Sequence, residues 1–438
     1  MTLWVSPQAA DPPPAFLFRS SSSTVSPSAP QILGMIPPLV YLDRYRNEGT
    51  RVYSPHAGYS EAESRFRPDS PHPSFRLPVF TLPPGEVNLY ESDPSPVLRH
   101  RYLPRGRVLF CVHPQVVAGR RGDPYLKRIL DLGRPEAPLR VSPSSSTRTL
   151  YVNGSEPAHA LKVHFPFRVS RYGRRMRDEV VEQALRVSRE LQAGTASFDH
   201  RFAFQREVLG VTLRRREDDG PRGENWGYLV RELEPFPPPE EERPLAPAFS
   251  LFGRDFFDPE ATPLVFQLLG GSDPRDFVLE KVMFPVIRHW VSAYLHFGFL
   301  LEPHGQNVLL EVGSDGGIER IVHRDLNLGI DLRRRRDLGL PVSERNRYNQ
   351  MEGGAFASIT YDKFMGNHFF QHLVAALQER YRGLAMEDFQ GPCRDLFAQL
   401  FPHHRAYLPR TVRYFSEDRD EFGKPVFLDT GEAPVWRP

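Results

Sequence analysis

The sequence predicts an α+β protein, and three observations carry the prediction. Strand-type apolar runs crowd its first half: Val108 to Val112, the hydroxyl-dense LRVSPSSSTRTLYVNG, Ala160 to Val169, Phe202 to Leu213 and Trp226 to Glu232. Apolar residues at helical spacing mark other segments: Asp178 to Ala193, the stretch bearing Phe277, Val282, Val286, Trp290 and Tyr294, Tyr361 to Arg382, and Leu396 to Phe401. A hairpin, with Val308 to Leu310 and Ile318 to Val322 around a turn at Gly313 to Gly317, is the stretch the chain is organised around.

In order along the chain, residues 1–38 are rich in Pro, Ser and Ala, cannot bury enough apolar surface and are expected to be disordered. Up to Pro104, the pieces LVYL, FRLPVFTL and VNLY are broken by Pro and read as loops and edge strands. Tyr125 to Leu132 reads as a short helix. Ala160 to Val169 reads as one half-buried strand running into Ser170, Arg171, Arg174, Arg175 and Arg177. The helix from Asp178 has Gly194 where a C-terminal cap belongs. EPFPPPEEERPLAP, Glu234 to Pro247, is a stiff charged connector, and it divides a lobe over 39–240 from one over 241–438.

Gly270-Gly271-Ser272-Asp273-Pro274 resembles a phosphate loop, but Ser272 or Asp273 capping a helix that begins at Pro274 is the simpler reading. Arg333 to Arg336 reads as a solvated loop, with a phosphate site as the alternative. His368 lies on the apolar side of its helix and reads as a core histidine. No internal repeat is present.

Composition narrows the class. A chain of 438 residues, 40% hydrophobic and 25% charged, can build two or three soluble domains. A formal charge of +2, with no stripe of Lys and Arg among aromatics, gives no reason to expect nucleic acid. Cys111 and Cys393 stand far apart, which argues against a disulfide framework or a zinc site and fits a reducing compartment. The start, MTLWVSPQAADPPPAFLF, lacks the basic region and apolar core of a signal peptide, and no apolar run is long enough to span a bilayer. A cytoplasmic enzyme with no membrane partner is the expectation.

The chemistry gathers at the hairpin. It sets Glu302, His304, Gln306 and Asn307 beside Arg324 and Asp325. Two carboxylates and an amide oxygen suit Mg²⁺, while His and Arg suit phosphates or carboxylates. A polar hairpin whose His and Asn cap turns is the plainer reading; the variety of chemical types in so short a span argues against it. Two further clusters are phosphate donors by type: the loop from Ser144 through Ser146, Arg148 and Thr149, and Lys162 with Ser170 and Arg174. An Asn after a His-containing loop, a hairpin and then an Asp follow the logic of kinase-like sites, where Asn and Asp hold Mg²⁺ on the nucleotide. From residues alone, the chain reads as a Mg²⁺-ATP enzyme with its nucleotide between two lobes.

The same residues resemble the IucA/IucC-like, NRPS-independent siderophore synthetases. His113-Pro114-Gln115, Ser146-Thr147-Arg148-Thr149, Lys162, Ser170, Arg174, GYLVRE (Gly227 to Glu232), Glu302-Pro303-His304-Gly305-Gln306-Asn307 and Arg324-Asp325 occur in the family's order. The E-x-H-G-Q-N block is highly specific and the S-x-R-T block moderately so; the likeness covers roughly residues 105–415. It implies a multi-lobed thumb, fingers and palm architecture with a kinase-like C-terminal palm. The lobe over 39–240 would hold a thumb remnant and the fingers, and 241–438 the palm.

The resemblance also implies that ATP adenylates a carboxylate, citrate or a similar polycarboxylic acid, and that an amine or alcohol then attacks to give an amide or ester. Ser146, Arg148, Thr149, Lys162, Ser170, Arg174, His304 and Gln306 would bind ATP. Arg174, His304 and Lys162 would be catalytic, and Glu302, Asn307 and Asp325 would hold Mg²⁺. A homodimer is among the assemblies it implies. Ser170 stands where the family has Thr, and the region before His113 is compressed. A kinase-like phosphotransferase and a degenerate nucleotide-binding protein are the competing readings.

Overall fold

The computed structural model describes residues 38–50, 58–119, 122–170, 172–216, 226–314, 316–342, 350–351, 353–419 and 425–438. The expected disorder of residues 1–38 concerns a segment that, but for Pro38, lies outside them, as do Arg171 and the turn residue Asp315. The α+β class holds. The strands in chain order are β1 Phe75–Leu82, β2 Val87–Glu91, β3 Val108–Cys111, β4 Arg134–Pro143, β5 Thr149–Val152, β6 His159–Val163, β7 Phe165–Val169, β8 Tyr172–Arg174 and β9 Phe202–Leu213. They continue with β10 Gly227–Phe236, β11 Leu245–Pro247, β12 Phe299–Leu300, β13 Val308–Val312, β14 Ile318–His323, β15 Gly329–Asp331, β16 Gln350–Met351, β17 Arg413–Arg419 and β18 Pro425–Asp429.

Eleven of these form one sheet in the order β11-β13-β14-β9-β10-β6-β5-β4-β1-β3, with β2 also on β9. Its spine is β9, buried at all but one position, as a strand covered on both faces must be. One edge of β9 is shared by two partners. Residues 202–204 pair parallel with β14, and 209–213 pair antiparallel with β2. The sheet therefore carries the hairpin β13–β14 into register with the strands that precede the charged connector.

The helix Asp178–Gly194 crosses this sheet over Gly210. A Cβ on Gly210 would collide with Cγ1 of Val181, so glycine here sets how closely the helix approaches. A second helical segment starts at Pro274, where Asp273 caps it by accepting from the Asp276 amide at 2.9 Å. It passes through a π-turn at Leu279–Met283 and runs on to Phe297. Gly298, at φ +66°, then turns the chain into β12 and the hairpin. Two large apolar cores flank the sheet. One holds Leu77, Phe110, Leu161 and Tyr228; the other holds Trp290, Tyr294, Leu310 and Phe369.

Three expectations are corrected. LVYL begins a helix, Leu39–Tyr45, because its polar residues Asp43 and Arg44 are buried against partners rather than facing solvent. FRLPVFTL is interior: β1 lies between β3 and β4, and Pro78 sits where the β1–β4 register shifts, so its missing amide breaks no ladder. Ala160 to Val169 is two strands. β6 is fully buried and continues the sheet, whereas β7 leaves it to pair with β8.

Gly210→Ala is expected to lower stability by about 1–3 kcal/mol through overpacking. Combined with Val181→Ala, the loss should be smaller than the sum of the two single losses. Urea unfolding of the three variants measures both.

Candidate active site

A cavity of about 310 Å³ opens where the loop before β13, the loop between β4 and β5, and the end of β6 meet. Eleven of the residues singled out from the sequence line it: Ser146, Arg148, Thr149, Lys162, Ser170, Arg174, Glu302, His304, Gln306, Asn307 and Asp325. They come from segments up to 179 positions apart, from Ser146 to Asp325. The cavity size falls at the lower end of the range for small-molecule sites, about 300–1,000 Å³.

Each side chain has a local reason for its place. The loop after β4 closes on itself: the Ser144 amide donates to the Thr149 carbonyl at 2.8 Å, and the Thr149 amide to Ser146 Oγ at 3.2 Å. Thr147 takes φ +70° to make that turn. Lys162 follows from sheet register, since it pairs with Thr149 across β5 and β6 and so shares its face. Ser170 follows β7 at φ +60°, and Asp325 follows β14 at φ +70°. Of these three non-glycine residues in the left-handed region, each costing about 1–3 kcal/mol, Ser170 and Asp325 line the cavity and Thr147 lies between Ser146 and Arg148, which do. Gly305 lies against Phe249, whose amide donates to the Gly305 carbonyl at 3.0 Å; a Cβ there would press on the Phe249 backbone.

Two bonds cross the cavity walls. Gln306 Nε2 donates to Ser145 Oγ at 2.8 Å, and Lys162 Nζ pairs with the Asp325 carboxylate. Lys162 is buried, and burial lowers its pKa while Asp325 partly restores it. Burial would raise Asp325, but Lys162 and then Arg231 outweigh it and hold this carboxyl below the usual carboxylate range. Arg231 is itself buried against Glu207 at 2.7 Å. Arg174 makes no ion pair among the described residues and faces the cavity as an available cation.

Glu302 behaves oppositely to Asp325. Burial, then the nearby Asp325 charge, push its carboxyl up to about 8, against the pull of Lys162 and Arg174. His304 is lowered to about 4, chiefly by burial, and is neutral at pH 7. Its Nδ1 accepts from the Gln306 amide at 3.3 Å, which leaves its proton on Nε2. A neutral histidine in this tautomer can donate to a carboxylate or phosphate oxygen.

Among the described residues no group of three His, Cys, Asp or Glu gathers as a self-sufficient metal cage. Glu302, Asn307 and Asp325 are hard oxygen donors around one cavity. Such a set fits Mg²⁺, which is commonly held by one or two carboxylates with substrate phosphates completing its shell.

Arg324 does not face the cavity. Its guanidinium donates to Asp43 Oδ1 at 2.7 Å, to the Tyr151 hydroxyl at 3.0 Å and to the Gln306 carbonyl at 2.7 Å. Tyr151 and Ser145 hydroxyls donate to the same Asp43, each at 2.8 Å. Arg333 to Arg336 is no loop but most of the helix Leu332–Asp337; Arg335 pairs with Glu190 at 2.9 Å and Arg334 with the Leu295 carbonyl at 2.6 Å. His368 lines the cavity rather than filling the core.

Sequence reasoning did not select Asp43, or the aromatic residues Phe249, Phe252, Phe364, Tyr414 and Phe415 that line the rest of the cavity. A charged pair inside the apolar LVYLDRY was the available signal for Asp43.

This fold is shared with solved biosynthetic proteins. The chain is similar to petrobactin biosynthesis protein AsbB from Bacillus anthracis str. Sterne at TM-score 0.67 and 15% identity, over 91% of this chain and 75% of that one. It is similar to ATP-bound aerobactin synthetase IucA from Klebsiella pneumoniae at TM-score 0.65 and 16% identity, over 88% and 74%. Aerobactin synthetase IucC from the same organism gives 0.64 and 13%, over 87% and 72%. Residues 95–252 match the model of the IucA / IucC family, and the resemblance read from the sequence is thereby borne out. No curated protein matches the sequence.

Removing the Asp43 carboxylate strands a buried guanidinium. Asp43→Ala should cost about 3–5 kcal/mol, read by urea unfolding. Glu302 offers a pH signature. Its folded pKa is raised from 4.5 to about 8, so its contribution to stability is full below pH 4.5 and is lost as pH rises through 8. The gap in Tm between Glu302→Gln and the unliganded wild type should therefore shift in favour of the variant across that window.

Proposed function

We propose that the chain is an ATP-dependent ligase that adenylates a carboxylate and joins it to an amine or alcohol. The observation that carries this reading is the convergence of the serine–arginine loop and the histidine–asparagine loop on one cavity, tied by the Gln306–Ser145 hydrogen bond. ATP as the nucleotide is supported by the similar IucA structure, which holds it.

In this reading Ser146, Arg148, Thr149, Lys162 and Ser170 bind the triphosphate, with Gln306 at its far side. Arg174 and His304 Nε2–H orient the substrate carboxylate. The carboxylate oxygen attacks the α-phosphorus, the bond to the β-phosphate oxygen breaks, and pyrophosphate leaves. Attack of one anion on another needs positive charge where negative charge builds, and Arg148, Lys162 and Arg174 supply it. Glu302, Asn307 and Asp325 would hold Mg²⁺, which when bound neutralises triphosphate charge. In the second step the nucleophile's lone pair forms a bond to the acyl carbon. The bond to AMP breaks, AMP leaves, and the nucleophile loses a proton. Holding both partners in one water-poor cleft lowers the barrier to that step.

A carboxyl kept protonated to about pH 8 has a second use here. It spares the empty site two adjacent negative charges and gives up its proton when a cation arrives.

Turnover with citrate and other polycarboxylates, with hydroxylamine as acceptor, should yield AMP and pyrophosphate. Release of ADP would instead assign a kinase-like phosphotransferase, and ATP binding without turnover on any carboxylate a non-catalytic nucleotide-binding protein. Arg174→Ala and His304→Ala should each lower pyrophosphate release by about 10²–10³-fold or more while the fold persists. Asp325→Asn should chiefly weaken Mg²⁺-dependent nucleotide binding, measured by titration calorimetry.

A further inference from the structure

The cavity has two chemically different halves. The phosphate half carries every charged side chain that lines it: Arg148, Lys162, Arg174, Glu302 and Asp325. The other half begins at His304 and is a strip of rings. Phe364 meets the His304 ring edge-on at 5.7 Å. His368 follows at 5.8 Å from Phe364, then Tyr414 at 6.2 Å from His368, with Phe415 6.4 Å from Phe364. Phe249 and Phe252 complete the wall. Phe364 and His368 stand four residues apart in the helical segment Ile359–Phe370, and Tyr414 and Phe415 come from β17.

Among the described residues this half contributes no carboxylate to the cavity. The ammonium nearest the strip, Lys363 Nζ at 5.9 Å from the Tyr414 ring, is already paired with Glu432 at 2.7 Å. His368 is held neutral by burial, then by His304, His372 and Lys363, its pKa lowered to about 3. A polyamine or diamine seated here would lose hydration from its second ammonium and meet no carboxylate among the described residues that line this half. A flat uncharged ring would meet faces and edges of its own kind.

Resting on the ligase reading, the geometry points to an acceptor whose nucleophilic amine or hydroxyl is carried on an aromatic, otherwise uncharged body. The strip starts at His304, where the acyl group would be held, so a ring lying along it presents its amine at the acyl carbon. The amine lone pair forms the carbon–nitrogen bond, the acyl–oxygen bond to AMP breaks with its electron pair going to AMP, and the surplus proton passes to solvent.

The test separates the two claims. Carboxylate-dependent exchange of pyrophosphate into ATP, run without any amine, reports on the ligase reading alone; its absence for every carboxylate overturns that reading and this inference with it. Where exchange occurs, 2-phenylethylamine and 1,5-diaminopentane are compared as acceptors by amide formation. The expected result is a kcat/KM at least tenfold higher for the aryl amine. Equal or better use of the diamine, or use of neither, overturns the inference and leaves the ligase reading standing. Tyr414→Glu then supplies the missing carboxylate, and the aryl-to-diamine ratio should fall at least tenfold; an unchanged ratio counts against the proposal.

Discussion

The buried pair of Asp43 and Arg324 is the contact on which the rest of the site depends. It joins three parts of the chain that share no local structure: the helix Leu39–Tyr45, the serine loop through Ser145 and Tyr151, and the hairpin through Arg324 and Gln306. Asp43 accepts from a guanidinium and two hydroxyls, so burial, which would raise its pKa, is overcome and the carboxyl is lowered instead. A buried charge pair is weak ground for added stability, since replacing both partners by apolar groups is often neutral. What it supplies is register: with every donor directed at one carboxylate, the two loops have one way to meet.

A second layer of charge sits above that clamp. Lys162 and Asp325 pair across the cavity, with Arg231 and Glu207 buried behind them. The result is two carboxyl groups in one cavity with opposite habits. Asp325 stays ionised because cations surround it, and Glu302 stays protonated because burial and Asp325 both oppose its charge. The left-handed backbone at Thr147, Ser170 and Asp325 belongs to the same picture. Strain of that kind persists only where surrounding contacts hold the conformation: the serine loop closes on itself around Thr147, the Ser170 amide donates to the Tyr59 carbonyl at 2.8 Å, and Asp325 is paired with Lys162.

The aromatic half of the cavity follows different physics. Its rings pack against one another and against the core that holds Phe356 and Phe427, so the wall continues the hydrophobic interior to the edge of the charged half. Among the described residues its lining carries no carboxylate, whereas every charged side chain of the cavity belongs to the other half.

Much of this protein was legible in the sequence because local patterns encode it. The hairpin, the helix from Asp178, the cap at Asp273 and the strand β9 follow from periodicity and turn chemistry, which act over a few residues. The motif blocks around Arg148 and His304 were legible as donor chemistry for the same reason. Only the tertiary structure decided which polar groups the cavity receives. Arg324 looked like a ligand until Asp43, 281 positions earlier, consumed it, and Arg335, read as part of a solvated loop, is held in a helix by Glu190. His368 looked like core until the strand bearing Tyr414 left its face open to the cavity. The spacing of one segment states what a side chain can do; its partner, and so its use, is set by long-range packing that no single segment contains.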